Sequence, residues 1–392
     1  MRLLHVVPTY LPASRYGGPL YSVHALCAAL AKRGHEVHVY TTNVDGPGVS
    51  AVPVDTPVDM DGVRVSYFAT GHGRRLYRSP AMGAKLATSI AGFDVIHLHS
   101  VFLWPTAVAA AVARRCNVPY VLSPRGMLVA DLIRRKSRLA KTAWIELFER
   151  RNIERAAAVH VTADIEAAEL AGLRLRAGKV AVIPNGIDAQ PGAGGHETTD
   201  AARTGRGRRV LFLGRISWKK GLDRLIPAMA QVPGTDLLIA GNDEENYTPV
   251  LKALAQSCGV AERVRFLGPV YGLDKWRLVA TADVFALPSY SENFGMAVLE
   301  AMACGVPVVV TPEVGLASTV REAGAGLVVE GDAEAVGRAL AELIAHPERR
   351  RVLGRAGRKA VEERFSWPMI AARMEALYVD LPGGTQASDV RP

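Results

Sequence analysis

Short apolar runs alternate with longer amphipathic segments along almost the whole chain. In the first half the runs are LLHVV (3–7), VHVYT (37–41), VIHLH (95–99), VPYVL (118–122), VHV (159–161) and VAVIP (180–184). In the second half they are VLFLG (210–214), LLIAG (237–241), VRFLG (264–268), VFALP (284–288), VPVVV (306–310) and LVV (327–329). These runs are short and mostly apolar at consecutive positions, not only at alternate ones. They predict strands of a parallel sheet with both faces covered. The helical segments between them predict right-handed βαβ crossovers. Residues 52–69 break the pattern and predict a β-hairpin excursion.

A stretch rich in Gly, Thr and charge, with no apolar period, separates the two sets and predicts a surface linker. The expected fold class is therefore α/β, with two doubly wound domains facing each other across a cleft. Residues 1–187 form the N-terminal domain, 188–208 the linker and 209–365 the C-terminal domain. Residues 366–392 hold a helix after FSWP that crosses back toward the N-terminal domain, and then a tail.

Composition narrows the classes. The chain has 392 residues, 49% hydrophobic and 22% charged, enough to bury two cores. No stretch reaches the roughly 18 apolar residues of a membrane span. The start reads as a first strand and not as a signal peptide. Cys27, Cys116, Cys258 and Cys304 lie far apart without CxxC spacing, which predicts free thiols and no zinc site. The net charge of +9 points to anionic partners without choosing among them.

The chemistry concentrates after the strand VFALP. There SENFGMAVLE places Glu292 and Glu300 on either side of a helix start. Backbone N–H groups of Asn293, Phe294 and Gly295 would face outward at the positive end of that helix, which suits an anion. A carboxylate at each end can accept sugar hydroxyls. The spacing suits one sugar nucleotide, with ribose at Glu300, diphosphate at the helix start and the transferred sugar at Glu292. LFLGRISWKKG (211–221) places Arg215 and Lys220 just past another strand, where they can stabilise a leaving diphosphate without a metal. Lys219 competes with Lys220 for that role; the spacing to Gly221 favours Lys220.

In PASRYGGPL (12–20), Gly17 and Gly18 allow close backbone approach and Pro19 suits a helix start. The G-x-G-x-x-G pattern is missing, which disfavours a nicotinamide oxidoreductase. FDVIHLHS (93–100) puts His97 and His99 on one strand face. His99 lies at the carboxyl end, where ligands bind, and His97 reads as a core histidine. The DMD of 59–61 reads as a turn, and no other Asp/His cluster has metal-ligand spacing. Residues 125–155 carry nine basic residues against four acidic, interleaved with Trp144, Leu147 and Phe148. This suits an anionic membrane surface, or a grip on a phosphorylated acceptor, or a plain solvated helix whose Trp and Phe face the core.

GRISWKKGLDRLIPAM, VRFLGPV, ALPSYSENFGMAVLEAMACGVPVVVT and VIPNGID together resemble the family-4 glycosyltransferases. GGPLYSVHALCAALAKRGHEVHVYTTN is similar to the start of that family's acceptor domain. The resemblance spans nearly the whole chain. It implies the GT-B fold and retaining transfer of a sugar, of hexosyl type, from a nucleoside diphosphate sugar, with no metal and no other cofactor. It implies Glu292 on the donor sugar, Asn293, Phe294 and Gly295 on the diphosphate or sugar, and Glu300 on the ribose. Arg215 and Lys220 would take the phosphates, Gly18 would lie near them, and His99 would lie near the reaction centre. GPVYG (268–272), with Val270, would meet the base. SPRGML (123–128) is similar to a bacterial subgroup that builds surface polysaccharides, so a glycan or lipid-linked acceptor is expected, with Arg125 and Trp104 as candidate contacts. The expected location is cytoplasmic, with peripheral contact to the membrane's inner face left open, and no nucleic-acid partner. A sugar-nucleotide 2-epimerase and a non-catalytic nucleotide-sugar sensor are the alternatives on the same fold.

Overall fold

The computed structural model describes residues 1–13, 18–54, 56–128, 144–173, 175–188, 207–243 and 245–382. Most of the expected linker, and Arg134, Arg135 and Lys136 of the basic segment, lie outside these residues. The chain divides into two compact units. One comprises Met1–Gly186 with Trp367–Pro392, the other Ile187–Ser366.

The first unit holds β1 (Arg2–Val7), β2 (Glu36–Thr42), the small ribbon β3 (Val44–Asp45) and β4 (Gly48–Val49), β5 (Val58–Met60) and β6 (Val63–Phe68). It continues with β7 (Val95–His99), β8 (Tyr120–Ser123), β9 (Ala158–Val161) and β10 (Val180–Val182). Eight of them form one sheet in the order β10-β9-β8-β7-β1-β2-β6-β5. All five residues of β7 are buried, because helices cover both faces. On one face Leu4, Val6, Ile96 and Leu98 share a core with Leu86 and Ala109. These last two come from α2 (Pro80–Ser89) and α3 (Trp104–Arg115). On the other face Leu3, Val7 and Val95 share a core with Leu26 of α1 (Gly18–Lys32) and with Ile370 and Met374. The latter two belong to the helix Trp367–Val379, so both ends of the sequence build this unit.

The excursion at 52–69 is only half a departure from the pattern. β5 and β6 do form an antiparallel hairpin. Its turn, Asp61–Gly62, has φ of 55° and 81°, as a two-residue hairpin turn requires. But β6 pairs parallel with β2 over six residues, so this strand continues the main sheet and only β5 runs against it.

The second unit holds β11 (Arg208–Leu213), β12 (Thr235–Ala240), β13 (Val264–Gly268), β14 (Val284–Leu287), β15 (Val308–Val310) and β16 (Gly326–Val328). They form an all-parallel sheet in the order β13-β12-β11-β14-β15-β16. In both sheets the strand order reverses beside the first strand, between β1 and β7 and between β11 and β14. Such switch points open crevices at the carboxyl ends of the strands.

Candidate functional site

At the β11/β14 switch point two loops meet. One leads from β11 through Gly214–Ser217 into the 3-10 turn Trp218–Lys220. The other leads from β14 through Pro288–Gly295 into the helix Met296–Ala303. Gly221 lets them touch: its φ is +68°, and a Cβ there would lie 1.9 Å from the Pro288 carbonyl oxygen. The Tyr290 N–H donates to the Lys219 carbonyl at 2.7 Å, and the Thr311 hydroxyl to the Ser289 carbonyl at 2.7 Å. The Glu292 N–H donates to the Glu313 carbonyl at 3.0 Å, and the Gly315 N–H to the Glu292 carbonyl at 2.9 Å. Two other chain segments, at Lys219 and at Thr311–Gly315, thus hold the loop that carries Glu292.

Its side chain meets Lys220. The Lys220 ammonium donates to the Glu292 carboxylate, both side chains being under one-fifth exposed. Glu300 sits in the second turn of the helix and accepts from Lys275 Nζ at 2.7 Å. Burial pushes the Glu300 carboxyl above its ordinary range, and Lys275 opposes the rise. Lys275 comes from the helix Gly272–Ala280, and nothing in the spacing of the sequence marked it. Phe294 turns its ring toward Phe365, centroids 6.5 Å apart, so it has only backbone to offer a ligand. Gly295, with φ of +101°, is buried at the N-cap, and Asn293 is half-buried. Arg215 is exposed two residues past β11. Val270 is half-buried after the edge strand β13, away from the Lys220–Glu292 pair.

At the β1/β7 switch point a cavity of about 190 Å³ is lined by Thr9, Leu20, His99, Ser100, Leu103 and Arg125, among others. Gly18 is the exposed first residue of α1, next to Pro19 of the cavity wall. Trp104 opens α3 and lays its ring against Gly83 of α2, outside the cavity lining. Arg125 donates to Asn185 Oδ1 at 2.9 Å and to His99 Nδ1 at 3.2 Å. Both acceptors are neutral, and its Nε has no hydrogen-bond partner among the described residues. Burial lowers the guanidinium from its ordinary value, with Glu166 the largest opposing charge.

Two hydrogen-bond chains run beneath this cavity, and their directions follow from their ends. The Ile183 carbonyl can only accept, so His160 Nε2–H donates to it at 2.8 Å. His160 Nδ1 must then accept from the Ser123 hydroxyl at 2.7 Å, and Ser123 Oγ from His97 Nε2–H at 2.8 Å. His97 Nδ1 is left to accept from the Tyr378 hydroxyl at 2.7 Å. In the second chain Arg125 can only donate to His99 Nδ1. His99 Nε2–H therefore donates to His5 Nδ1 at 3.0 Å. The fold also brings His5, His97 and His99 within 4.8 Å of one another, a grouping the sequence did not reveal. The nitrogens of His97 and His99 are spent on these bonds and a cation adjoins His99, so the cluster reads as a polar network and not as a metal site. The DMD expected as a turn is one only at Asp61, since Asp59 and Met60 belong to β5; Asp59 accepts from the Gly62 N–H at 3.3 Å and Asp61 pairs with His24 at 2.9 Å.

Comparison with known proteins gives the family. Residues 17–186 match the Glycosyl transferase 4-like domain, and residues 199–360 match Glycosyl transferases group 1. The D-inositol 3-phosphate glycosyltransferase of Xylanimonas cellulosilytica is 30% identical over 423 residues, covering 100% of this chain and 97% of that one. Its counterpart from Mycobacterium marinum is 30% identical over 355 residues, 84% of this chain and 73% of that one. Sucrose-phosphate synthase from Thermosynechococcus elongatus superposes with a TM-score of 0.77 at 25% identity, covering 96% of this chain and 98% of that one. Anabaena HepE in complex with UDP-glucose superposes at 0.73 and 20% identity, covering 96% and 99%. With full-length relatives and both sheets accounted for, the chain belongs to the glycosyl transferases group 1 family and is a glycosyltransferase of GT-B fold.

Proposed function

We propose that the chain moves a hexose from a nucleoside diphosphate sugar to a hydroxyl of an anionic acceptor, with anomeric configuration retained. The observation that carries the donor half is the Lys220–Glu292 pair, on a loop hydrogen-bonded to two other segments at the β11/β14 switch point. A phosphate would compete with Glu292 for Lys220. Lys220, Arg215 and the helix-start amides of Asn293, Phe294 and Gly295 would then stabilise charge growing on the leaving diphosphate, in place of a metal. Glu292 would accept from hydroxyls of the sugar and Glu300 from those of the ribose. Val270 would border the base, and Gly18 would let the backbone approach the phosphates. The leaving phosphate oxygen would help take the acceptor proton on the same face of the sugar, with His99 beside it.

Arg125 supports the acceptor half. It is a cation bonded to neutral partners at a cavity wall, the chemistry of a site for a phosphate or carboxylate. The names of the relatives point to an inositol phosphate as the first acceptor to try. A phosphate-bearing, lipid-linked glycan of surface polysaccharide has the same chemistry.

The test is a thermal-shift panel of UDP-, GDP-, ADP- and TDP-linked sugars with EDTA present. One nucleotide class should raise the melting temperature, and Glu300→Ala should abolish the rise. No shift with any class, or a shift that needs a divalent cation, would overturn the proposal.

A further inference from the structure

Between His99 and α3 the backbone is strained. Ser100 and Phe102 have φ of 78° and 63°, a region that residues with side chains resist. Both follow the strand end that forms the cavity, and Ser100 and Leu103 line it. The Ser100 N–H donates to the Ser123 carbonyl at 2.8 Å. The Phe102 N–H donates to Glu149 Oε1 at 2.7 Å.

Glu149 is fully buried. The same Oε1 accepts from the Trp144 indole N–H at 3.0 Å, and Oε2 from the Asn152 amide at 3.4 Å. Asn152 is held in turn: Arg114 donates to its Oδ1 at 2.8 Å, and the Tyr120 hydroxyl to its carbonyl at 2.7 Å. Among the described residues every donor to Glu149 is neutral. Burying a carboxylate on neutral donors is costly, and an apolar side chain would fill the space more cheaply. Glu149 also ends a π-turn, Ile145–Glu149, a helix irregularity common at functional sites. The turn aims its last side chain at the strained loop.

We propose that Glu149 is a positioning residue. Its carboxylate clamps the Ser100–Leu103 loop in its strained form and so sets one wall of the acceptor cavity. The inference rests on the cavity being the acceptor site.

The test uses the full chain with Glu149→Ala and Glu149→Gln. A glutamine can keep its oxygen on the Phe102 and Trp144 N–H groups and gives up only the long Asn152 contact. Amide exchange of residues 99–103 should rise about tenfold or more in Glu149→Ala. Inositol 3-phosphate, titrated in the presence of UDP, should bind about tenfold more weakly, while UDP itself binds as before. Glu149→Gln should restore both. Unchanged exchange at 99–103 in Glu149→Ala would overturn the proposal. So would equal impairment of both variants with equal loss of melting temperature. If the wild type takes no inositol 3-phosphate, the acceptor assignment fails alone, and the exchange comparison still decides the clamp. Should Glu149→Ala not fold, Glu149→Asp keeps the charge, withdraws the oxygen by one methylene and takes its place.

Discussion

Lys220 and Glu292 neutralise each other in a half-buried setting, so removing either strands a charge on the other. Lys220→Ala should lower turnover by at least about 10²-fold if the ammonium stabilises the leaving phosphate, with Lys219→Ala as control. Steady-state rates at saturating donor check this, and a near-normal Lys220→Ala enzyme would remove it from that role. Gly221, the residue by which the sequence favours Lys220 over Lys219, is a position where only a glycine fits against the Pro288 carbonyl. Lys275 was not legible. Its partner Glu300 lies 25 positions on, and no local period joins a lysine on one helix to a glutamate on the next. His5 was hidden for the same reason: it meets His99 across 94 residues, through the pairing of β1 with β7.

At the scale of elements, the strands were legible because a doubly covered parallel sheet favours mostly apolar runs, even where buried histidines interrupt them. β6 was misjudged because the turn signal beside it announced a hairpin, while its other edge, paired parallel to β2, leaves no local mark. The π-turn Ile145–Glu149 was not legible either, since one residue inserted into a helix shifts the apolar period without erasing it. That shift has a surface consequence. Ile145 and Glu149 point inward, while Leu147 is 70% exposed and Phe148 45% exposed. Arg151 and Arg155 are exposed close by, on a segment whose sequence is basic. Such a face suits an anionic lipid surface. Leu147→Ser with Phe148→Ser should weaken co-sedimentation with phosphatidylglycerol vesicles about tenfold or more. Arg134, Arg135 and Lys136 changed together to Ala should act in the same direction. Unchanged binding in both would sink the membrane contact.

For the whole molecule, folding buries four imidazoles among the described residues, His5, His97, His99 and His160. Burial lowers all four from 6.5, His5 and His160 to about 3, and Arg125 adds to the effect. Unfolded, they return to the ordinary value. Below that value the unfolded chain binds protons that the folded chain refuses. Stability is therefore complete above about pH 6.5 and is lost as pH falls toward 3, by up to about 1.4 kcal/mol per unit per histidine. Urea midpoints at about pH 7.5 and 5.5 check this; equal midpoints would contradict it. The two-sheet plan was legible from the alternation of runs. The polar network was not, because it needs Tyr378, 281 positions beyond His97, to close it. That distance has a consequence for biosynthesis. The helix Trp367–Val379 supplies Trp367, Ile370, Met374, Leu377 and Tyr378 to the core of the first unit, yet a ribosome makes it after the whole second unit. Through most of translation the nascent first unit holds an uncovered apolar face and an open hydrogen-bond chain. The first unit therefore cannot complete its core in the order it is synthesised, and slower elongation would lengthen the time that face stays uncovered.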